Sequence, residues 1–206
     1  DALGAMLPQT FAYDEEAPLK ANTFTRTGYM FKGWSTEDRP GAKIVYKDKE
    51  VVKNLTAMHK GYVDLYAQWG TIEYQIHFDG NGNANGSMND ITVEYDKRQK
   101  LPKNGFSKPG YEFAGWNTRK DGSGGDYTDE ATIINLTDVP GETVTLYAQW
   151  KAGGYRVRFD KNGDHVTGTM QNQEIEFGDR AKLNKNTYTR VGYTFDGWNL
   201  KPDGKG

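Results

Sequence analysis

The sequence predicts an α+β fold that is mostly β: a tandem run of small β units, each with at most one short helix. Three observations carry that reading. One is an internal period of about 81 residues, which sets the architecture before any single motif is considered. Another is the alternation of apolar side chains at period two, the mark of a half-buried strand. The last is composition: 5 Trp, 13 Tyr and 9 Phe beside 25 Gly and 7 Pro suit small cores built from large rings and joined by tight turns.

The period is carried by several phrases. GYMFKGWST begins at Gly28, GYEFAGWNT at Gly110 and GYTFDGWNL at Gly192, so Trp34, Trp116 and Trp198 recur every 82 residues. LYAQW ends at Trp69 and Trp150, 81 residues apart. Tyr74, Phe78 and Asp79 are matched at that offset by Tyr155, Phe159 and Asp160. A pattern Met-x6-aromatic-x5-Leu gives Met6, Tyr13, Leu19, then Met88, Tyr95, Leu101, then Met170, Phe177, Leu183. The repeats are expected at 1–69, 71–150 and 154–206. The middle copy reads as complete, the first as lacking its opening strand, and the third as truncated at its C-terminal end.

Within the complete copy the elements follow in order. TIEYQIHFD places Ile72, Tyr74, Ile76 and Phe78 on one face of a strand. GNGNANGS is a turn, because Gly and Asn adopt positive φ at little cost. DITVEYD is the return strand, with Ile91, Val93 and Tyr95 inward. GYEFAGW is a third strand whose second Gly marks a bulge or close approach, and TVTLYAQW is a fourth, alternating Val144, Leu146, Ala148 and Trp150. DEATIINL, and KEVVKNL in the first copy, are candidates for a short helix, weakened by their β-branched residues.

The repeated aromatics read as core rather than as a ligand site. All of them but Phe11 and Tyr62 fall where another copy also has an aromatic, and a packed position must keep its volume. The expected core set is Tyr29, Phe31, Trp34, Trp69, Tyr111, Phe113, Trp116, Trp150, Tyr193, Phe195 and Trp198.

The ordered phrases (Phe-Asp, Gly/Asn turn, Met, LPKNGFSKPGYEFAGWNT, NLT, TLYAQW) resemble the Listeria–Bacteroides repeat, related to the B-repeats of internalin B. The resemblance implies a ubiquitin-like β-grasp unit. It also implies extracellular, multi-copy modules of bacterial surface or secreted proteins, often placed between a functional region and a cell-wall anchor. It supplies no catalytic motif, so no catalytic residue carries over.

Other chemistry finds little support in the residues. Asp79, Asn81 and Asn83 stand at positions 1, 3 and 5 of a calcium-loop spacing, but position 6 is Ala84 and position 12 is Asp90, so the hairpin turn is the plainer reading. His59, His77 and His165 have no partner at metal-ligand spacing and read as surface. The sequons at Asn54, Asn85 and Asn135 include an NLT that recurs with the repeat. No nucleophile elbow, phosphate loop or cofactor motif is present, so neither an enzyme nor a cofactor is expected. A net charge of −2 gives no argument for nucleic acid, and no apolar run approaches the ~20 residues of a membrane helix. There is no cysteine for disulfides.

Function is therefore expected to be structural and adhesive: a spacer or stalk whose partners are its neighbouring repeats, with contacts to a host-surface protein or glycan. The alternative is a dedicated binding module for such a partner. Its candidates are the loops that differ after each Gly-Trp, with Arg39, Arg119 and Lys120 as the contacting side chains.

Overall fold

The structure, a computed structural model, describes residues 1–82 and 84–206, and among them every regular element is a β-strand. The first copy holds β1 (Glu16–Pro18), β2 (Tyr29–Ser35), β3 (Val51–Lys53) and β4 (Tyr66–Thr71). The second holds β5 (Glu73–Asp79), β6 (Ile91–Glu94), β7 (Gln99–Lys100), β8 (Tyr111–Asn117), β9 (Asp126–Tyr127), β10 (Thr132–Ile133) and β11 (Thr143–Ala152). The third holds β12 (Gly154–Val157), β13 (Val166–Thr167), β14 (Gln173–Glu176) and β15 (Thr189–Arg190).

In the second copy five strands form one sheet in the order β6-β5-β11-β8-β9. Its central pair, β5 and β11, is parallel, and the other pairs are antiparallel. A parallel pair needs a long crossover, and here the rest of the repeat supplies it. One turn of that crossover is the small antiparallel pair β7–β10. The first copy repeats β8–β11 as β2–β4 and β7–β10 as β1–β3, while the third repeats the β5–β6 hairpin as β12–β14.

The two segments expected to be short helices are instead strands, β3 and β10. Val51 and Val52, like Thr132 and Ile133, are β-branched and sit easily on a pleated ladder. Asn54 and Asn135 then turn the chain out of each strand at φ 48° and 49°.

The core lies under the sheet. Tyr74, Ile76 and Phe78 from β5, Val93, Leu101, Ile133, Leu146, Ala148 and Trp116 form one buried cluster in the second copy. Trp116 is fully buried and is met edge-on by Phe78, Phe113 and Phe106 at 5.1, 5.0 and 6.2 Å between ring centres. Trp34 has Phe31 and Phe24 in the matching places, and Trp198 has Phe195 and Tyr188. Such pairs add roughly 0.5–1.5 kcal/mol each beyond the area they bury.

The glycine before each buried Trp has a double cause. Gly33 and Gly115 have φ of 143° and 138°, and a Cβ there would lie 2.7 Å from the carbonyl oxygen of Tyr46 or Tyr127. The ladder shifts register at the same place, leaving Lys32 and Ala114 unpaired as bulged residues.

Not every ring expected in the core lies there. Tyr193 and Phe195 are 66% and 51% exposed, because no strand within 154–206 stands beside 192–198 as β4 and β11 stand beside β2 and β8. Trp198 is half-buried for the same reason. Trp69 and Trp150 are half-buried, each edge-on to Phe31 or Phe113, and Trp150 Nε1 donates to the Gly80 carbonyl at 2.9 Å. Tyr29 and Tyr111 point away from the core of their own repeat and pack on the next one, with Arg26 and Lys108 of their own turns over the rings.

Candidate functional site

Two regions carry the residues that could act on something outside the fold. The first is the loop after the buried Trp. Asn117 ends β8 with its side chain fully buried, and four hydrogen bonds around it shape residues 118–126. Its Oδ1 accepts from the Arg119 and Gly124 amides at 2.7 and 3.0 Å. Its Nδ2 donates to the Gly122 carbonyl and the Asp126 carboxylate at 3.1 and 2.7 Å. Asn199 does the same in the third copy, with the Lys201 and Gly206 amides and the Gly204 carbonyl. The first copy has Ser35 there, whose Oγ accepts from the Glu37 amide. The loops differ in sequence but two of them share one frame.

That loop meets the Gly/Asn turn. Asn81 Nδ2 donates to the carbonyls of Lys120 and Ala148 at 3.0 and 2.9 Å, and Asn162 makes the matching bond to Pro202. Asp79 Oδ1 accepts from the Asn81 amide at 2.7 Å. So Asp79 and Asn81 are committed to building the turn and pinning the loop, while Asn83 lies outside the described residues. Arg119 and Lys120 are exposed on this pinned loop, and Asp121 beside them is held below the usual carboxylate range by hydrogen bonds from Ser123. Arg39, in the first copy, is instead tied to Glu37 at 2.7 Å. Among the described residues no three His, Cys, Asp or Glu side chains gather as a metal cage, and no helix is long and apolar enough to cross a membrane. His77, read as a plain surface residue, has an acid partner in space: Nδ1 lies 2.7 Å from Asp90 across the β5–β6 hairpin.

The second region is the joint between successive repeats, and sequence reasoning missed it. Only Ile72 separates β4 from β5, and only Gly153 separates β11 from β12. Each of these residues is bonded both ways. The Ile72 amide donates to Gly28 of the preceding repeat, and its carbonyl accepts from the Tyr95 amide of the following one. Gly153 does the same between Gly110 and Phe177.

Side chains close the joint as one turn packed on another. The donor turn is Arg26–Tyr29 or Lys108–Tyr111, closed by an amide-to-carbonyl bond of 3.0 Å, with Gly28 and Gly110 at φ 74° and 80° as its third residue. The receiving turn carries Tyr95 or Phe177. The rings meet edge-on, Tyr29 with Tyr95 at 6.2 Å and Tyr111 with Phe177 at 5.6 Å. The approach leaves no room for a side chain on the glycine: a Cβ on Gly28 would lie 2.1 Å from the Tyr95 ring, and one on Gly110 2.3 Å from Phe177.

The first joint has a polar latch that the second lacks. Tyr29 Oη donates to Asp96 Oδ2 at 2.6 Å, and Asp96 Oδ1 accepts from Asn135 Nδ2 at 2.8 Å. The hydrogen bond to Asp96 raises the Tyr29 phenol above its ordinary value, and the same bond, with that from Asn135, lowers Asp96. Gly178 stands where the second joint would need that carboxylate. Two shallow clefts border the joints, one of about 360 Å3 lined by Arg26, Tyr29, Phe31, Trp69 and Asp138 among others, one of about 230 Å3 at Tyr111, Tyr155 and Phe177.

The signal in the sequence was the recurring Arg/Lys-x-Gly-Tyr set against the recurring Tyr/Phe of the Met-x6-aromatic pattern. Asn135 of the recurring NLT belongs to the same device.

Comparison with known proteins agrees with the period. The family model of the Listeria-Bacteroides repeat domain matches three times, at residues 1–68, 74–149 and 155–206. A protein of Evansella cellulosilytica named as a Gly-rich membrane protein is 36% identical over 84% of this chain and 19% of its own length. A second membrane protein of that organism is 30% identical over 88% of this chain and 25% of its own. Internalin H of Listeria monocytogenes is 33% identical over 71% of this chain and 23% of its own. The chain thus spans about a fifth to a quarter of the length of these relatives. No solved structure matches it.

Proposed function

Because the chain belongs to the Listeria-Bacteroides repeat family, we propose that it is a non-catalytic, extracellular module of a bacterial cell-surface or secreted protein, acting as a spacer that carries an adhesive region away from the cell. The relatives named as membrane proteins and as an internalin support that placement. The observation that carries the spacer reading is the joint: two successive repeats are coupled in the same way, by a boundary residue bonded in both directions and a turn-on-turn aromatic contact. A coupling of that kind sets one repeat's direction from the last, and copy number then sets reach.

We read each unit as a β-grasp built without its helix. Counting the five sheet strands of the second copy in chain order, they lie second, first, fifth, third, fourth, with the first and last parallel, and this order supports the reading.

The spacer is tested on the whole chain, which has no cysteine of its own. Spin labels at Lys47→Cys and Lys185→Cys report the separation of the first and third repeats. A single narrow distance distribution is expected; a broad one, as from a flexible string, overturns the reading.

A second reading rests on the pinned loop, which presents Arg119 and Lys120 from a fixed frame to a host-surface protein or glycan. Saturable binding of labelled chain to host cells or purified glycans, lost in the triple variant Arg39→Ser, Arg119→Ser, Lys120→Ser, would establish it. Equal binding by the variant would remove these residues from it.

A further inference from the structure

In the second repeat the strand by which the chain enters and the strand by which it leaves are neighbours. Tension along the chain reaches this repeat through Ile72, just before β5, and leaves it through Gly153, just after β11. β5 and β11 are the parallel pair of the five-stranded sheet, in register from Gln75 opposite Thr143 to Asp79 opposite Tyr147. Two further backbone bonds of 2.8 Å tie the start of β5 to the residues before β11: the Gln75 amide donates to the Glu142 carbonyl, and the Gly141 amide to the Glu73 carbonyl. β6 and β8 flank the pair, so neither strand is at an edge.

Because both strands run in one direction, the two loaded ends lie at opposite ends of the pair. Pulling Ile72 away from Gly153 drives β5 and β11 past each other along their own length. The bonds between parallel strands are evenly spaced, so they share that load and must give way together. An antiparallel hairpin pulled from its open end is loaded one bond at a time. Packing opposes the same sliding. Tyr74, Ile76 and Phe78 of β5 and Leu146 and Ala148 of β11 are buried in one cluster. The smallest slip that keeps such side chains facing the core is two residues, about 7 Å. That would take Phe78 off Trp116, its edge-on partner at 5.1 Å.

We propose that the second repeat is a tension clamp: it withstands pull along the chain because its first and last strands are a buried parallel pair loaded in shear. This adds a mechanical function to the spacer reading, on which it rests, since a spacer between a cell and an adhesive contact is stretched from both sides. The joints are not part of the clamp, because at Ile72 and Gly153 the load passes through covalent bonds.

The test is single-molecule pulling of the whole chain, which has no cysteine of its own, through handles on pairs of introduced cysteines. Glu73→Cys with Lys151→Cys pulls β5 against β11 and leaves the first and third repeats outside the loaded segment. Glu73→Cys with Lys97→Cys pulls the β5–β6 hairpin from its open end, where Glu73 stands opposite Glu94. All three positions are exposed, and unchanged circular dichroism checks that each variant keeps the fold. At one loading rate the first pair should hold to a several-fold higher force and then release residues 73–151 in one step. Forced unfolding is governed by the rate of barrier crossing and not by stability, so a difference between the two directions reads geometry. Equal forces for the two pairs, or a first pair that gives way in several small steps, overturns the inference. Its failure is separate from that of the spacer. Weak resistance with a narrow distance between the first and third repeats sinks the clamp and leaves the spacer; strong resistance with a broad distance sinks the spacer and leaves the clamp.

Discussion

Tyr29 and Asp96 belong to different repeats and are joined by a hydrogen bond of 2.6 Å from phenol to carboxylate. The bond spans the junction at which β4 passes into β5, and the second joint has no counterpart to it, just as it has none to the longer Thr71–Glu94 bond beside it. Removing only the hydroxyl, by Tyr29→Phe, keeps the edge-on ring contact with Tyr95 and removes the latch. With spin labels at Lys43→Cys and Lys103→Cys, the inter-repeat distance distribution should broaden while the unfolding midpoint barely moves. A distribution as narrow as wild type would show that the rings and the Ile72 bonds alone fix the joint.

Gly28 and Gly192 occupy the same turn position but not the same surroundings. Both have positive φ, so an alanine at either costs roughly 1–2 kcal/mol of backbone strain. Only at Gly28 does the added carbon run into a ring, that of Tyr95, while nothing lies within 4 Å at Gly192. Gly28→Ala should therefore displace the second repeat relative to the first, seen as a shifted inter-repeat distance, whereas Gly192→Ala should cost stability alone. Equal shifts from both would place the effect in the turn and not in the joint.

The parts of this fold that were legible in the sequence are those set by local periodicity. Ile72, Tyr74, Ile76 and Phe78 alternate, and all four side chains are buried. Gly33 and Gly115 marked a bulge, because positive φ and a close carbonyl are both penalties only glycine avoids, whereas Gly197 has neither and no partner strand beside it. The joint was not legible for a physical reason. A position that packs on the next repeat must keep its volume just as a core position does, so Tyr29 and Trp34 recur with equal regularity although one faces a neighbour and the other its own core. Nor can spacing show that Tyr29 reaches Tyr95. The short helices failed differently: β-branched Val51, Val52, Thr132 and Ile133 favoured a ladder once a partner strand was present.

Trp116 and Trp198 occupy equivalent places with unequal burial, and that difference sets their expected costs. Trp116 is enclosed by Phe78, Phe106 and Phe113 and has no exposed surface, so Trp116→Ala should cost roughly 3–5 kcal/mol. Trp198 is half-buried, and Trp198→Ala should cost clearly less. Chemical denaturation reads both, and a loss below about 1 kcal/mol at Trp116 would contradict its role as the centre of the core.

Asn117 organises the loop that carries Arg119 and Lys120. Asn117→Ala would leave the Arg119 and Gly124 amides without their acceptor at a partly buried site, and a lost hydrogen bond of this kind typically costs about 0.5–1.5 kcal/mol. Hydrogen exchange at Gly124 and Arg119 should quicken while exchange at Ile76 and Leu146 stays slow, because the sheet does not depend on the loop. If binding to a host surface is found, this variant should weaken it without any loss of the two cationic side chains. Protection unchanged at Gly124 would mean that the backbone of the loop holds itself.

The pH range of the first joint follows from its two titrating partners, and the signs oppose each other. Asp96 titrates lower in the folded chain, first because Tyr29 donates to it, then because Asn135 does, with a smaller pull from Arg26. Its contribution is therefore present above the ordinary carboxylate value of about 3.9 and is lost as pH falls through the lowered one. Tyr29 titrates higher, first because of the bond to Asp96, so its contribution is present below the ordinary phenol value of about 10 and is lost as pH rises through the raised one. Between those limits the distance between the Lys43 and Lys103 labels should be constant. Below about pH 3.9 protonation of Asp96 should broaden it, and Tyr29→Phe should remove that response. The joint at Tyr111 and Phe177 has no carboxylate in the corresponding place, so labels across it should not report the same acid transition. A matching transition there would assign the acid response to general loosening of the β-sheets and not to the phenol–carboxylate bond.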